Sequence, residues 1–287
     1  MGKIILVENG VFPITNDKYG KPIKNLPDTG LPIAGTIQGE GVTAGVPCLF
    51  IRTSGCNLRC AWEMEDGSVS ICDTPYSSHQ ATEFEEWDID DVIETVKQNM
   101  GNMKHVVISG GEPTRQHEAL VELCKKLKKL DYFITIETNG TIFNEDFAKH
   151  VDLFSMSPKL KDSVPTIEKM KKVGIPIEND RAVKQTVLRR NLQVLQQFID
   201  HANWHTPISD FQLKFVITRP ENVKEIKEDF LDHLTGWLPS DIYLMPVGAN
   251  PTELLKSSRM TAKIAIENGW NYTPRLQVDL FGNLPGV

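Results

Sequence analysis

The sequence predicts an α/β fold, an incomplete TIM-type barrel of about six βα units. Three observations lead there. Short runs of apolar and β-branched residues recur along the chain, as CLFIRT, HVVIS, YFITIET, VDLFSMS, QLKFVIT and IYLMPV. Stretches with apolar residues at helical spacing separate the later runs. Strands alternating with helices argue for βαβ units and a mainly parallel sheet, and six units fall short of the eight that close a barrel. A chain of 287 residues is an ordinary length for one such domain. Residues 1–34 read as an N-terminal arm or hairpin extension and residues 35–287 as the barrel.

Each element has a local reason. Residues 10–34 are rich in Pro, Gly, Asp and Asn, which suits an irregular arm with a hairpin around residues 16–20. From Pro47 the pattern becomes regular. In CLFIRT, alternation places Cys48, Phe50 and Arg52 on one face. Asp91 with Glu94 resembles a capping box opening a helix that runs to about Met100. After HVVIS, residues Leu120, Leu123, Cys124, Leu127 and Leu130 fall on one helical stripe. Further helices are expected near 186–201, 222–234 and 252–268. In parallel α/β sheets the loops after the strands' carboxyl ends carry the site. Those loops are TSGCNLRC, GGEP, TNG, SPK and PVGAN. No solenoid repeat or low-complexity tract interrupts the pattern.

Composition narrows the class. Hydrophobic residues make up 40% and charged residues 24%, a soluble globular profile. The net charge of −7, from 31 Lys and Arg against 38 Asp and Glu, opposes direct attraction to nucleic acid. No apolar run is long enough to cross a bilayer, and residues 4–7 are too short for a signal-peptide core. Leu6 stands where a myristoylation pattern wants Ser or Thr. Five cysteines, an odd number with three in a cluster, suit metal binding in a reducing cytoplasm better than a disulfide framework.

Cys56, Cys60 and Cys72 lie in CNLRCAWEMEDGSVSICDT. Three thiolates on one loop suit iron or zinc. On a [4Fe–4S] cluster, three cysteines leave one iron open to a cofactor or substrate. The alternative is a structural zinc site with His79 as fourth ligand, and the cysteines alone leave both readings open. Cys48 and Cys124 read as core residues. GGEP follows the HVVIS strand directly, its glycines allowing close backbone approach to a ligand and Glu112 able to accept from an ammonium group.

TSGCNLRC followed by CDT, ISGGEP, ETNG and SPK resembles the radical S-adenosylmethionine (SAM) superfamily. GTIQGEG at residues 35–41, followed by GVPCLFIR, is similar to the start of the 7-carboxy-7-deazaguanine synthase family, and RLQVDLFGNLPGV resembles the tails of some members. The resemblance runs from about Gly35 to Val287. It implies a radical SAM core in which Cys56, Cys60 and Cys72 hold a [4Fe–4S] cluster whose open iron is chelated by SAM. It implies that Ile71, Gly111, Glu112, Ser157, Pro158 and Lys159, with Met245, Pro246, Val247 and Gly248, contact SAM. Ile37, Gln38, Gly39, Arg52, Ser109 and Val287 would grip a carboxypterin, and Thr74 would ligate Mg²⁺. A guanidinium fork at Arg52 suits a carboxylate.

The implied reaction generates a 5′-deoxyadenosyl radical that abstracts hydrogen from 6-carboxy-5,6,7,8-tetrahydropterin. The ring then contracts and loses ammonia to give 7-carboxy-7-deazaguanine, a step of queuosine-type 7-deazapurine biosynthesis. An electron donor such as flavodoxin or ferredoxin and a homodimeric state are implied with it. One departure stands out. Members commonly place the second and third cysteines two residues apart, whereas here EMEDGSVSI separates Trp62 from Cys72, and Ile71 replaces the usual aromatic. Other radical SAM enzymes, such as glycyl-radical activases, and a non-catalytic zinc module are the rival readings.

Overall fold

Strands buried on both faces need a layer of helices outside and something to cover them within. Pro47–Thr53 and His105–Gly110 are buried at nearly every position, so both belong deep in a parallel sheet. The computed structural model describes residues 2–24, 29–64, 66–78, 83–178, 180–205, 209–282 and 284. In chain order the strands are β1 (Lys3–Phe12), β2 (Thr36–Ile37), β3 (Pro47–Thr53), β4 (Ala61–Glu63), β5 (Val69–Ile71) and β6 (Phe84–Asp88). They continue as β7 (His105–Gly110), β8 (Phe133–Thr138), β9 (Leu153–Met156), β10 (Asp210–Ile217), β11 (Ile242–Pro246) and β12 (Asn271–Tyr272). The α-helices are α1 (Ile89–Asn99), α2 (His117–Lys129), α3 (Glu145–Ala148), α4 (Ile167–Lys172) and α5 (Arg181–Leu188). After them come α6 (Leu192–Trp204), α7 (Asn222–Glu225), α8 (Pro251–Asn268) and α9 (Leu276–Phe281).

One ten-stranded sheet runs in the order β12-β11-β10-β9-β8-β7-β3-β1-β6, with β2 attached to β3. From β3 to β12 every neighbour is parallel, and the register sets Arg52 beside Ser109. The six expected βα strands are therefore β3, β7, β8, β9, β10 and β11, in sequence order, and β12 and β6 end the sheet without meeting. This is an unclosed barrel. Leu49 and Ile51 of β3 face a large core with Leu120, Leu123 and Cys124 of α2, whereas Cys48 and Phe50 pack with Val7, Phe12 and Val107 on the other side. The alternation read from CLFIRT sets these two layers, and each large apolar side chain so buried stabilises the fold by about 1.5–3 kcal/mol.

Several boundaries differ from the sequence reading. The stretch expected to be an arm contributes β1, held antiparallel between β3 and β6. Its hairpin is present as an antiparallel bridge between Asn16 and Pro22, with Gly20 at φ 75°. Helix α1 starts at Ile89, before Asp91, whose carboxylate instead pairs with Lys18 at 2.5 Å. The stretch 186–201 is two helices, because Asn191 turns its side chain onto the Val194 N–H at 3.3 Å and starts α6 afresh. The expected 222–234 helix is α7 continued by a π turn at Ile226–Phe230 and a short 3₁₀ turn at Leu231–His233. Helix α8 matches closely, from an Asn250 cap to Gly269 at φ 67°.

Candidate active site

The loops after β3, β7, β8, β9 and β11 converge on one cavity of about 520 Å³ at the carboxyl end of the sheet. Cys56, Cys60 and Cys72 all line it. The polar stretch between the last two is the β4–β5 hairpin, in register Ala61 to Ile71, Trp62 to Ser70 and Glu63 to Val69. Antiparallel pairing returns the chain to its starting point, so Cys60 and Cys72 flank the hairpin base and the Cys72 N–H donates to the Cys60 carbonyl at 3.1 Å. The apolar face of the hairpin packs Trp62 and Met64 against Leu58, Val216, Met245 and Val247. The hairpin is tied to helices by Lys172–Glu63 and Lys256–Asp66, each at 2.6 Å, and by Ser70, opposite Trp62, donating to Glu253 at 3.0 Å.

The sulfurs receive donors. The Leu58 N–H lies 3.4 Å from the Cys56 Sγ, the Asn139 side-chain amide 3.9 Å from the same atom, and the Gln185 amide 3.8 Å from the Cys60 Sγ. Burial raises all three thiol pKa values, that of Cys60 to about 12. Metal-free thiols are thus neutral here, and binding soft metal must supply the energy that deprotonates them. Three soft donors with N–H groups aimed at sulfur fit an iron–sulfur cluster. Among the described residues no three His, Cys, Asp or Glu side chains converge on a single-ion site, and His79 lies outside those residues.

The GGEP turn presses on the cysteine loop. A Cβ at Gly111 would stand 2.4 Å from the Gly55 carbonyl oxygen and 2.5 Å from that of Ser77, so only glycine fits. Gly111 lines the cavity, but Glu112 does not. The Glu112 carboxylate is fully buried and accepts from the Thr114 N–H and hydroxyl, the Thr138 hydroxyl and the Asn139 N–H, at 2.6–3.1 Å. Burial raises its pKa, and its lone pairs are engaged by neutral donors. The Glu112 carboxylate therefore clasps GGEP to the TNG loop.

Ser157, Lys159, Ile71, Thr74 and Met245 to Gly248 line the cavity, with Lys159 donating to the Ser157 hydroxyl at 2.7 Å. Pro158 is buried. Thr74 Oγ1 lies 3.5 Å from the Cys72 Sγ. Ile37, Gln38, Gly39, Arg52 and Ser109 line the same space, while Val287 lies outside the described residues. Arg52 is 6% exposed, with its guanidinium carbon 5.3–5.9 Å from the ring centres of Phe12, Phe50 and Tyr76. Its Nε has no hydrogen-bond partner among the described residues.

Sequence reasoning missed a buried charge network beside these residues. Glu137 of β8 accepts from Ser109 at 2.8 Å and Gln38 at 3.2 Å, and Lys214 of β10 stands 3.8 Å away. Lys214 pairs with Glu40 at 2.5 Å, and Glu40 also accepts from Arg275 at 3.1 Å and Gln277 at 2.8 Å. Arg275 reaches Asp73 and the Gly248 carbonyl as well. Burial alone would raise the Glu40 pKa, but the Lys214 and Arg275 charges hold it well below the usual carboxylate range. One signal was available: Lys214 interrupts the otherwise apolar run QLKFVIT, as Arg52 interrupts CLFIRT.

Residues 50–159 match the family model of the radical SAM superfamily. The chain is 37% identical over 254 residues to the 7-carboxy-7-deazaguanine synthase of Halobacterium salinarum, covering 87% of this chain and 89% of that protein. It is 34% identical over 251 residues to the enzyme of that name from Rhodopirellula baltica, covering 87% and 85% respectively. The crystal structure of QueE from Escherichia coli shares the fold, with a TM-score of 0.51 over 92% of this chain and 93% of that one at 23% identity. The likeness extends along nearly the whole of both sequences and takes in the three-cysteine loop, so the chain belongs to the 7-carboxy-7-deazaguanine synthase family of radical SAM proteins.

Proposed function

We propose that this protein converts 6-carboxy-5,6,7,8-tetrahydropterin to 7-carboxy-7-deazaguanine with loss of ammonia. The observation that carries the substrate end is Arg52, a buried guanidinium facing the cavity with an unpartnered Nε. A buried cation without a counter-ion is costly, and a substrate carboxylate would relieve that cost through a bidentate pair. Glu137 offers a carboxylate in the same cavity, suited to accept from the amino group of a pterin ring.

Cys56, Cys60 and Cys72 would hold a [4Fe–4S] cluster, which with SAM supplies the radical chemistry. The chain's own residues bind, orient and exclude water. Trp62, Met245 and Val247 form an apolar wall beside the thiols, suited to the adenosine of SAM. Ser157, Lys159 and the backbone of Gly111 and Gly248 are polar groups for its other end. Thr74 lies beside Cys72 and would ligate Mg²⁺, which keeps few protein ligands and takes oxygens from water or substrate. A cytoplasmic homodimer supplied by a one-electron donor completes the reading. All five cysteines are free, in keeping with a reducing compartment.

The deciding experiment is anaerobic turnover of carboxytetrahydropterin with reconstituted protein, SAM and dithionite, followed by mass spectrometry. The expected product is 7-carboxy-7-deazaguanine, formed with SAM regenerated. SAM cleavage that ignores the pterin would point instead to a different radical SAM substrate.

A further inference from the structure

Helix α5 turns polar side chains toward the site. Arg181, Gln185 and Arg189, at its start, middle and end cap, are four residues apart and share one face. Arg181 donates to the Asn57 carbonyl at 3.1 Å, and Arg189 donates to the Lys159 carbonyl at 3.0 Å while paired with Glu225 at 2.9 Å. The helix thus ties the cysteine loop to the SPK loop. Between the two arginines, Gln185 is 1% exposed. Its oxygen accepts from the Arg59 N–H at 2.7 Å, and its nitrogen donates to the Ser163 carbonyl at 3.2 Å and lies 3.8 Å from the Cys60 Sγ. An amide nitrogen carries two hydrogens. The Ser163 carbonyl takes one, which leaves the sulfur as acceptor for the other. Turning the amide over would set its oxygen against that carbonyl and the sulfur, and its NH₂ against the Arg59 N–H. Chemistry therefore fixes its orientation.

We infer that Gln185 is a positioning residue that sets the reduction potential of the cluster through the Cys60 sulfur. The inference rests on the iron–sulfur reading of the three cysteines. A neutral thiol is a weak acceptor, whereas a thiolate on iron makes the same N–H contact charge-assisted. An N–H on a ligand sulfur favours the form of the cluster with more negative charge there. That is the reduced form, so the contact raises the potential. The Leu58 N–H and the Asn139 amide serve Cys56, and the Thr74 hydroxyl stands beside Cys72. Gln185 serves Cys60 from outside the cysteine and TNG loops, on a helix whose arginines anchor it to both sides of the site. Its burial keeps water from taking the place of its N–H.

The test is a potentiometric titration of full-length, cluster-reconstituted protein without SAM or pterin, followed by electron paramagnetic resonance. Gln185→Met keeps the length of the side chain and has no N–H. At the parent's midpoint the ratio of reduced to oxidised cluster should fall threefold or more in this variant, a shift of about 30 mV at about 59 mV per decade. Arg181→Lys keeps the charge and loosens the tie to Asn57 without touching a sulfur. It should leave the midpoint in place even where its iron content falls. An unmoved midpoint in Gln185→Met, or an equal shift in Arg181→Lys, overturns the proposal, since Gln185 would then only hold the loop. The parent gives an independent reading if Gln185→Met fails to fold. With ¹⁵N in its glutamine amides, the reduced cluster should show a nitrogen coupling in pulsed resonance, and its absence overturns the proposal. A parent that takes up no iron sinks the cluster reading and this inference together. A shifted midpoint in a protein that makes no 7-carboxy-7-deazaguanine supports the inference and counts against the proposed reaction alone.

Discussion

Arg52 among three aromatic rings is stabilised by cation–π contact but forms no ion pair among the described residues, and that imbalance is what a carboxylated substrate can correct. Arg52→Lys keeps the charge and loses the fork, so KM for the pterin should rise about tenfold or more, equivalent to about 1.4 kcal/mol, with the SAM dissociation constant within about twofold. Parallel loss of both affinities would make Arg52 a scaffold residue. Thr74→Ala should raise the Mg²⁺ concentration needed for half-maximal turnover at unchanged iron content, and an unshifted titration midpoint would remove Thr74 from the site. Arg52 was legible because a charge in an apolar strand needs a reason. The direction of the Glu112 side chain was not legible for a different cause: a motif fixes which residue follows two glycines but not where its carboxylate points. The donors that capture Glu112, at Thr138 and Asn139, belong to another loop. Arg275 and Glu40 were invisible as a pair because 235 residues separate them.

At the scale of elements, the β4–β5 hairpin reconciles an unusual cysteine spacing with three thiols on one cavity. Ser70→Pro would remove a ladder donor opposite Trp62 and disturb the hairpin base. We expect that variant to retain less than about half the parent's iron after reconstitution, with barrel circular dichroism preserved. Full iron occupancy would show that the hairpin does not position Cys60 and Cys72. The six barrel strands were readable because both-face burial leaves continuous apolar runs. Strand β6 was not, since FEEWD is charged and largely exposed at a sheet edge. Strand β1 was obscured by Asn9 and Gly10, which interrupt its apolar pattern. The end of helix α5 was merged with α6 in the expected 186–201 stretch, because no proline or glycine separates the two.

The whole molecule carries a pH dependence away from the active site. His105, at the amino end of β7, is 3% exposed, hydrogen-bonds Thr135 at 2.8 Å and stacks edge-on against Phe133. Burial lowers its pKa to about 4 from 6.5. The unfolded chain binds that proton first as the pH falls. Stability from a neutral His105 is therefore complete above about pH 6.5 and lost progressively toward pH 4, by up to about 3 kcal/mol. Thermal melts of the metal-free protein should show this decline, and His105→Asn should shallow it; identical slopes would assign the effect to carboxylates. Among the described residues, the path of the unclosed barrel ends in two strands, β12 and β6, each a template on which another molecule's strand could add. One edge, β12, is two residues long, and the other, β6, carries Glu85 and Glu86 outward among exposed side chains. Short length and repelling charge are the means by which sheet edges resist aggregation. The two ends of the open barrel thus carry the features that oppose strand addition by another molecule: a very short strand at one and acidic side chains at the other.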